Sequence, residues 1–395
     1  MGSWTRDRLG NHAEIRARIG WRGLSANEYV ERGPFLIAGK HIISGAVDWD
    51  ACDHVTEYRY RESPEIALQV GDVIVSKDGT IGRVARIDSL PGPATLNGTM
   101  MLVRSMGRLD HRYLSQLLNG PSFKKLVEER ISGSSVPHLF QRDLSTLPIS
   151  VPPLEEQRRI ADILDTIDET IQATERVIGK LQLVQSGLID RSFSPSEGPP
   201  TELGVVCSAP GEYGCVAAAE QRRAGWPRYV RITDLTDSGT LRADSEMGVS
   251  PSVAQKAILH PGDIVFARSG ATVGKTYLYD PADGLCAFAG YLIRFRPDPT
   301  KALPEFVRWW THSSLYWRWI KGTMREGAQP NINAREYAKA VLPLPSIEEQ
   351  KLIVGSIVEV DAKIKAERRC REKLRQLRSG LAADLLTGKI RSVTV

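Results

Sequence analysis

The sequence predicts an α+β protein in which two globular mixed α/β domains are separated by two long helices forming an antiparallel coiled coil, as a pseudo-two-fold internal repeat. Three observations carry that prediction. Short blocks recur in the same order at an offset of 191–193 residues. Two stretches keep the three-and-four apolar spacing of a helical seam. β-rich runs bounded by glycine and proline precede each of them.

The repeat is read from four matched blocks. Gly71-Asp-Val-Ile-Val-Ser-Lys-Asp-Gly79 matches Gly262-Asp-Ile-Val-Phe-Ala-Arg-Ser-Gly270, and Gly98 to Arg104 matches Gly290 to Arg296. Leu154-Glu-Glu-Gln-Arg158 matches Ile347-Glu-Glu-Gln-Lys351, and Ser186-Gly-Leu188 matches Ser379-Gly-Leu381. Both halves therefore share a fold. Residues 1–150 form the first domain and 151–194 the first long helix; 195–343 hold a linker and the second domain, and 344–395 the second long helix.

In the first helical stretch apolar residues fall at Ile160, Leu164, Ile167 and Ile171, then Ile178, Leu181, Val184 and Leu188. In the second they fall at Ile353, Ile357, Val360 and Ile364, then Leu374, Leu377, Leu381 and Leu385. Pro152-Pro153, and Pro343 with Pro345, stop what precedes, and paired glutamates suit the positive end of each helix. The segment 151–199 carries net −4 and 344–395 net +4, counting Lys and Arg against Asp and Glu. Opposite charge favours pairing of the helices with each other over pairing with their own copies. A helix from Glu155 to Arg191 is roughly 55 Å long. Paired antiparallel, two such helices can hold a domain at either end, one to one-and-a-half turns of duplex apart, given about 34 Å per turn.

Hydrophobic content of 42% and charged content of 25% are ordinary for a soluble protein. No apolar run reaches membrane length, and the N-terminus lacks an apolar signal region, so the chain is expected in the cytoplasm without membrane contact. The five cysteines contain no C-x-x-C and read as reduced thiols. The net charge of +5 hints weakly at an anionic partner.

Enzyme chemistry finds little support. There is no G-x-x-x-x-G-K-[ST] phosphate loop and no H-E-x-x-H. Val151-Pro-Pro-Leu154 lacks both the polar first residue and the aromatic fourth of the amino-methyltransferase tetrad. Gly71-Asp72 and Gly262-Asp263 read as turns entering strands rather than as nuclease carboxylates. No catalytic residue and no metal ligand is assigned.

The motifs Val151-Pro-Pro-Leu-Glu-Glu-Gln-Arg-Arg-Ile160, Leu344-Pro-Ser-Ile-Glu-Glu-Gln-Lys-Leu-Ile353 and Leu385-Leu-Thr-Gly-Lys-Ile-Arg391 make the sequence resemble the specificity subunits of type I restriction–modification enzymes. Ile19 to Leu24, Gly71 to Arg83 and Asn331-Ile-Asn333 add to the likeness, which spans nearly the whole chain. The resemblance implies a non-catalytic subunit with two target-recognition domains, each reading one part of a bipartite asymmetric site in double-stranded DNA. It implies that the helices set the spacer and dock two methyltransferase (M) subunits, and that restriction (R) subunits join them. S-adenosylmethionine, ATP and Mg²⁺ are then expected on those partners, with no cofactor on this chain. The second domain departs from the pattern: Ala224-Gly-Trp-Pro227 stands nearest to the Gly-Trp-Arg-Gly-Leu element of the first. The rival readings are a stand-alone nuclease or methyltransferase and a coiled-coil scaffold.

Sequence readout needs side chains on base edges, and affinity needs cations near phosphates. The loop from Ser76 to Arg83 offers Lys77, Gly79, Thr80 and Arg83; its counterpart offers Arg268, Ser269, Thr272 and Lys275. A surface turn with solvated charges is the plainer alternative. Lys40 and His41, and Arg231 and Thr233, occupy corresponding places after β-like runs. Trp21 and Arg22 pair an aromatic with a cation, although Trp21 equally suits a core. Gln329 and Asn331 could bond adenine or satisfy loop backbone. Trp309, Trp310, Trp317 and Trp319 have a spacing that favours core over base stacking.

Overall fold

The computed structural model describes residues 4–18, 24–132, 137–244, 246–324 and 330–392. The chain divides into two compact units, residues 1–176 with 368–395, and residues 177–367. Each unit thus holds one mixed α/β domain and half of each long helix. The helices run Leu154–Ser192 and Ile347–Thr387.

In the first unit, β1 (Ala13–Ala17), β2 (Val73–Ser76), β3 (Val84–Arg86) and β4 (Met100–Ser105) form an antiparallel sheet in the order β1-β4-β2-β3. Its central strands are buried on both faces, and their continuous Val, Ile and Met runs fit that position. One face packs on the helix His111–Leu118, which Asp110 caps by accepting the Arg112 N–H at 2.9 Å. A smaller sheet sets Phe35–Ile37 parallel to Ala94–Leu96.

The second unit repeats the plan. Here β5 (Glu212–Tyr213), β6 (Ile264–Ala267), β7 (Thr276–Leu278) and β8 (Leu292–Phe295) take the order β5-β8-β6-β7. Arg228–Val230 again lies parallel to a partner, Cys286–Phe288. Trp309 and Trp310 are buried in this unit's core, and Trp317 and Trp319 pack against it, which is the core role their spacing favoured.

The repeated Gly-Asp pairs are strand-entry turns. Gly71 and Gly262 take φ of +95° and +90°. The aspartates are buried and gripped by arginines, Arg104 in β4 and Arg296 just beyond the end of β8. Asp72 receives Arg104 Nε and Nη2, both at 2.7 Å, and Asp263 receives Arg296 Nε at 2.6 Å.

The two long helices face each other in both units. In the first, Ile160, Ala161 and Leu164 share a core with Ala382, Leu385 and Leu386, so the start of one helix meets the end of the other. In the second, Ile189 shares a core with Ile357, and Gln185 donates to Asp361 at 3.3 Å. This is antiparallel pairing. Ile160, Leu164, Ile357 and Ile364 are buried; Ile167, Ile171, Leu181, Leu188, Ile353, Val360, Leu374 and Leu381 are half-buried. Two positions of the expected seam fall outside it: Val184 is 57% and Leu377 52% exposed. The covered positions nearest them are Gln185 and Arg378, so polar residues continue the seam where apolar spacing misplaced it.

Charge complementarity between the helices is literal in the first unit. Arg378 holds Asp168 through Nε at 3.1 Å and Nη2 at 3.2 Å, and donates to Gln116 Oε1 at 2.6 Å. Arg375 bonds Glu175 at 2.6 Å. Arg378→Glu is expected to cost about 2–3 kcal/mol, the scale of hydrogen bonds to charged groups. Thermal denaturation checks this, and Asp168→Arg added to that variant should restore part of the loss.

The motif ends are also anchored. Glu156 accepts from Trp4 Nε1 at 2.9 Å and from Arg391 Nε at 2.8 Å, so the closing Gly-Lys-Ile-Arg segment folds onto the start of the first helix. The Arg391 hydrogen bonds hold the Glu156 carboxyl below its usual range although burial opposes them. In the second copy Glu349 instead makes a reciprocal cap with Ser346, accepting its N–H at 2.9 Å.

No helix among the described residues is long and apolar enough to cross a membrane. Cys52, Cys207 and Cys286 are buried, Cys215 is half-buried and Cys370 exposed, all as free thiols. Burial pushes the Cys52 and Cys207 thiols up to about 12.

Candidate nucleic-acid interface

The loop joining β2 to β3 is the first place to look for readout, because both its ends are fixed and its tip is exposed. Gly82 N–H closes it onto the Ser76 carbonyl at 2.9 Å. Gly82 has φ +81°, and a Cβ there would stand 2.8 Å from a Val127 methyl. Only glycine lets the loop turn so tightly against the helix Pro121–Ser132. The second unit uses Gly274, at φ +88°, against Trp317 in the same way, and its N–H meets the Ala267 carbonyl at 3.1 Å.

Lys77 begins the loop at a junction of three segments. Its N–H donates to the Thr99 carbonyl at 2.8 Å, and its own carbonyl accepts from Leu139 N–H at 3.0 Å. Arg268 stands at the same junction in the second unit. Its N–H donates to Tyr291 O at 3.0 Å, and its carbonyl accepts from Ile332 N–H at 2.9 Å. The main-chain frame is common to both units; the side chains it presents differ.

In the first unit these are Lys77, Asp78, His138 and Phe140. His138 Nδ1 bonds Asp78 and its ring lies 4.4 Å from that of Phe140, over which Arg142 sits at 4.7 Å. Lys77 is only 16% exposed and leans on Asp78 at 3.5 Å. Gly79 and Thr80 form the exposed tip. In the second unit Arg268 stacks on the Tyr213 ring at 4.9 Å and donates through Nε to Asn331 Oδ1 at 3.3 Å. Ser269 bridges to Asn331, and Thr272 Oγ1 donates to Ser269 O at 3.4 Å. Tyr291 is 63% exposed beside them.

Other expected contacts have structural occupations. Arg83 Nη1 donates to Gly39 O at 3.0 Å, and Lys275 pairs with Asp237 at 2.7 Å. Both cations tie their hairpin to an adjoining segment. Lys40 pairs with Asp53 at 2.9 Å. His41 is a correction: it is 1% exposed, and its Nδ1 accepts from Ala38 N–H at 3.0 Å, which leaves the ring no route to DNA. Burial lowers its pKa, the nearby Asp53 carboxylate opposing that in part.

Arg231 occupies the place equivalent to Ala38 and chelates Asp234 with Nε at 3.1 Å and Nη2 at 2.9 Å, while Thr233 remains exposed. The two turns correspond, but with Thr233 at the place of Lys40 and Asp234 at that of His41, so Arg231 is matched by neither; in both a side chain three residues on caps the turn. Trp21, Arg22 and Gln329 lie outside the described residues. Tyr213, Tyr291, Asp78, His138, Phe140 and Arg142 were not singled out by the sequence. For His138 alone one signal existed, since an offset of 193 residues carries Asn331 to it.

Among the described residues no group of three or more His, Cys, Asp or Glu side chains could hold a metal ion. The arrangement offers recognition chemistry: forked and pointed cations, amides, an imidazole–carboxylate pair and exposed aromatic faces.

Two copies of one scaffold, each presenting a different polar face and each built onto paired helices, define a two-part recognition protein. The chain belongs to the type I restriction modification DNA specificity domain family, whose model matches residues 59–183 and 217–376. Its function is DNA target recognition as the specificity subunit of such a system. It is 22% identical over 349 residues to the type I restriction enzyme MjaVIII specificity subunit of Methanocaldococcus jannaschii, covering 83% of this chain and 81% of that one. It is 23% identical over 394 residues to the EcoBI specificity subunit of Escherichia coli, covering 91% and 80%. The fold matches the crystal structure of a type I restriction–modification S subunit from M. genitalium with a TM-score of 0.60, at 15% identity over 97% of this chain and 96% of that one. A structure from work on complex assembly and conformational transition of the type I system also gives 0.60, at 17% identity over 98% of each chain.

Proposed function

We propose that each unit reads one part of a bipartite, asymmetric site in double-stranded DNA, and that the junctions at Lys77 and Arg268 are the reading centres. The paired helices set the unread gap between the parts and dock two methyltransferase subunits, which restriction subunits join. The chain itself does no chemistry; S-adenosylmethionine, ATP and Mg²⁺ act on the partners, in the cytoplasm. The observation that carries this reading is the shared hydrogen-bonded frame with unlike side chains. Lys77, Asp78 and His138 stand where Arg268, Ser269 and Asn331 stand in the other unit. A duplicated scaffold with divergent surface chemistry suits two dissimilar short targets.

The test is binding of the chain with its methyltransferase partner to duplex DNA at rising salt. The expected result is a steep linear fall of log affinity with log salt, because phosphate contacts release counterions. Salt-independent binding, or methylation or cleavage by the chain alone, would contradict the proposal.

A further inference from the structure

We infer that Arg268 reads a guanine in the part of the site recognised by the second unit; this rests on the proposed function above and specifies it. The argument starts from what an arginine can do. Guanidinium only donates, so the Asn331 atom facing Nε must be the amide oxygen. That bond fixes one edge of the plane. The Tyr213 ring fixes one face, at 4.9 Å from the guanidinium carbon. Tyr213 is itself held, because its hydroxyl accepts the Ala334 N–H at 3.1 Å while its main chain pairs with Ile293 on β8.

Among the described residues nothing bonds Arg268 Nη1 or Nη2. The outer fork of a flat, pre-set guanidinium is thus left open at a half-exposed position. O6 and N7 of guanine in the major groove present two acceptors at the spacing of that fork. A side chain already held in place loses little freedom on binding.

The equivalent residue explains why this assignment belongs to one unit. Lys77 has a single ammonium, is largely covered and leans on Asp78. It offers no fork, so the two units are not interchangeable at this point. The Arg83 and Lys275 side chains, by contrast, bind their own units, through Gly39 and Asp237.

The experiment uses the full chain assembled with its methyltransferase partner, acting on a plasmid library with randomised segments, and reads the methylated sites by sequencing. The wild-type complex defines the fixed bases. Arg268→Lys keeps the charge and the main-chain bonds but removes the fork; Arg268→Ala removes both. With either, one G·C position should lose its preference, discrimination there falling roughly tenfold to a hundredfold. Every other fixed base should keep its own. Tyr213→Ala, which releases the guanidinium, should weaken preference at that same position.

Methylation that drops equally on all sequences while the motif stays whole would mean a phosphate contact and overturn the inference. So would a change confined to an A·T position. Arg268→Lys decides the matter even if Arg268→Ala fails to fold. If the wild-type complex itself shows no sequence preference, the proposed function falls, and that outcome is distinct from an unaltered motif in the variants.

Discussion

Asp263→Ala is expected to destabilise the second unit by about 3–5 kcal/mol, the range for breaking a buried ion pair by removing one partner. Asp263 is fully buried and accepts four bonds: Arg296 Nε at 2.6 Å and Nη2 at 3.2 Å, Arg294 Nη1 at 3.4 Å, and the His260 N–H at 2.9 Å. Alanine would leave two guanidinium groups and a main-chain donor without this acceptor. Arg294, itself buried, keeps Glu212 and the Ile258 carbonyl at 2.8 Å, so its loss is partial. Thermal denaturation of the full chain should report a fall of roughly 6 to 20 °C for the transition of that unit. Hydrogen exchange at Ile264–Ala267 should accelerate. Since β6 leads directly into Arg268, readout by the second unit should weaken with it. A shift below 1 kcal/mol would mean that the buried carboxylate contributes little beyond its shape.

Gln157→Ala should cost about 2–4 kcal/mol, because it strands several main-chain groups at once. Gln157 Oε1 accepts the Asp110 N–H at 2.8 Å, while Nε2 donates to Arg108 O at 3.1 Å and Pro152 O at 2.8 Å. Gln350 repeats this clamp on Leu303 N, Lys301 O and Pro345 O at 2.9, 3.0 and 3.0 Å. In both copies the amide locks the start of a long helix to the turn before a domain helix. Gln157→Glu is the sharper variant. It preserves size and the acceptor but sets a carboxylate against two carbonyls, so it should be no better than alanine. Glu155→Ala, on the exposed side, should stay within about 0.5 kcal/mol. Denaturant titration measures all three. A tolerated Gln157→Glu would refute the clamp.

These two motifs show what can be read from one sequence. Gly-Asp and Glu-Glu-Gln recur because each is closed on itself: a glycine at positive φ, a buried carboxylate, an amide spanning one turn. Local chemistry of that kind repeats visibly at an offset of 191–193 residues. The opposite charges of the helical segments likewise reappear as Arg375 on Glu175 and Arg378 on Asp168.

The candidate site was less legible, for a physical reason. Its junction joins residues near 77, 99 and 139, or near 268, 291 and 332, through main-chain bonds that no spacing rule encodes. A cation in a glycine-bounded loop reads the same whether it is open to DNA or spent on its own fold. Arg83, Lys275, Lys40 and Arg231 are engaged within the protein, and His41 is buried. Tyr213 and Arg268 are far apart in sequence, and only the pairing of both β5 and β6 with β8 brings ring and guanidinium together. The seam misplaced Val184 and Leu377 because apolar spacing is silent about polar seam positions such as Gln185 and Arg378.

The most direct measurement is a genome-wide map of the sites methylated by the complex built on this chain. Two short fixed blocks of different sequence, separated by a constant number of unread base pairs, are the expected pattern. A single uninterrupted block, two identical blocks, or a gap of variable length would contradict a reader made of two unlike faces on paired helices.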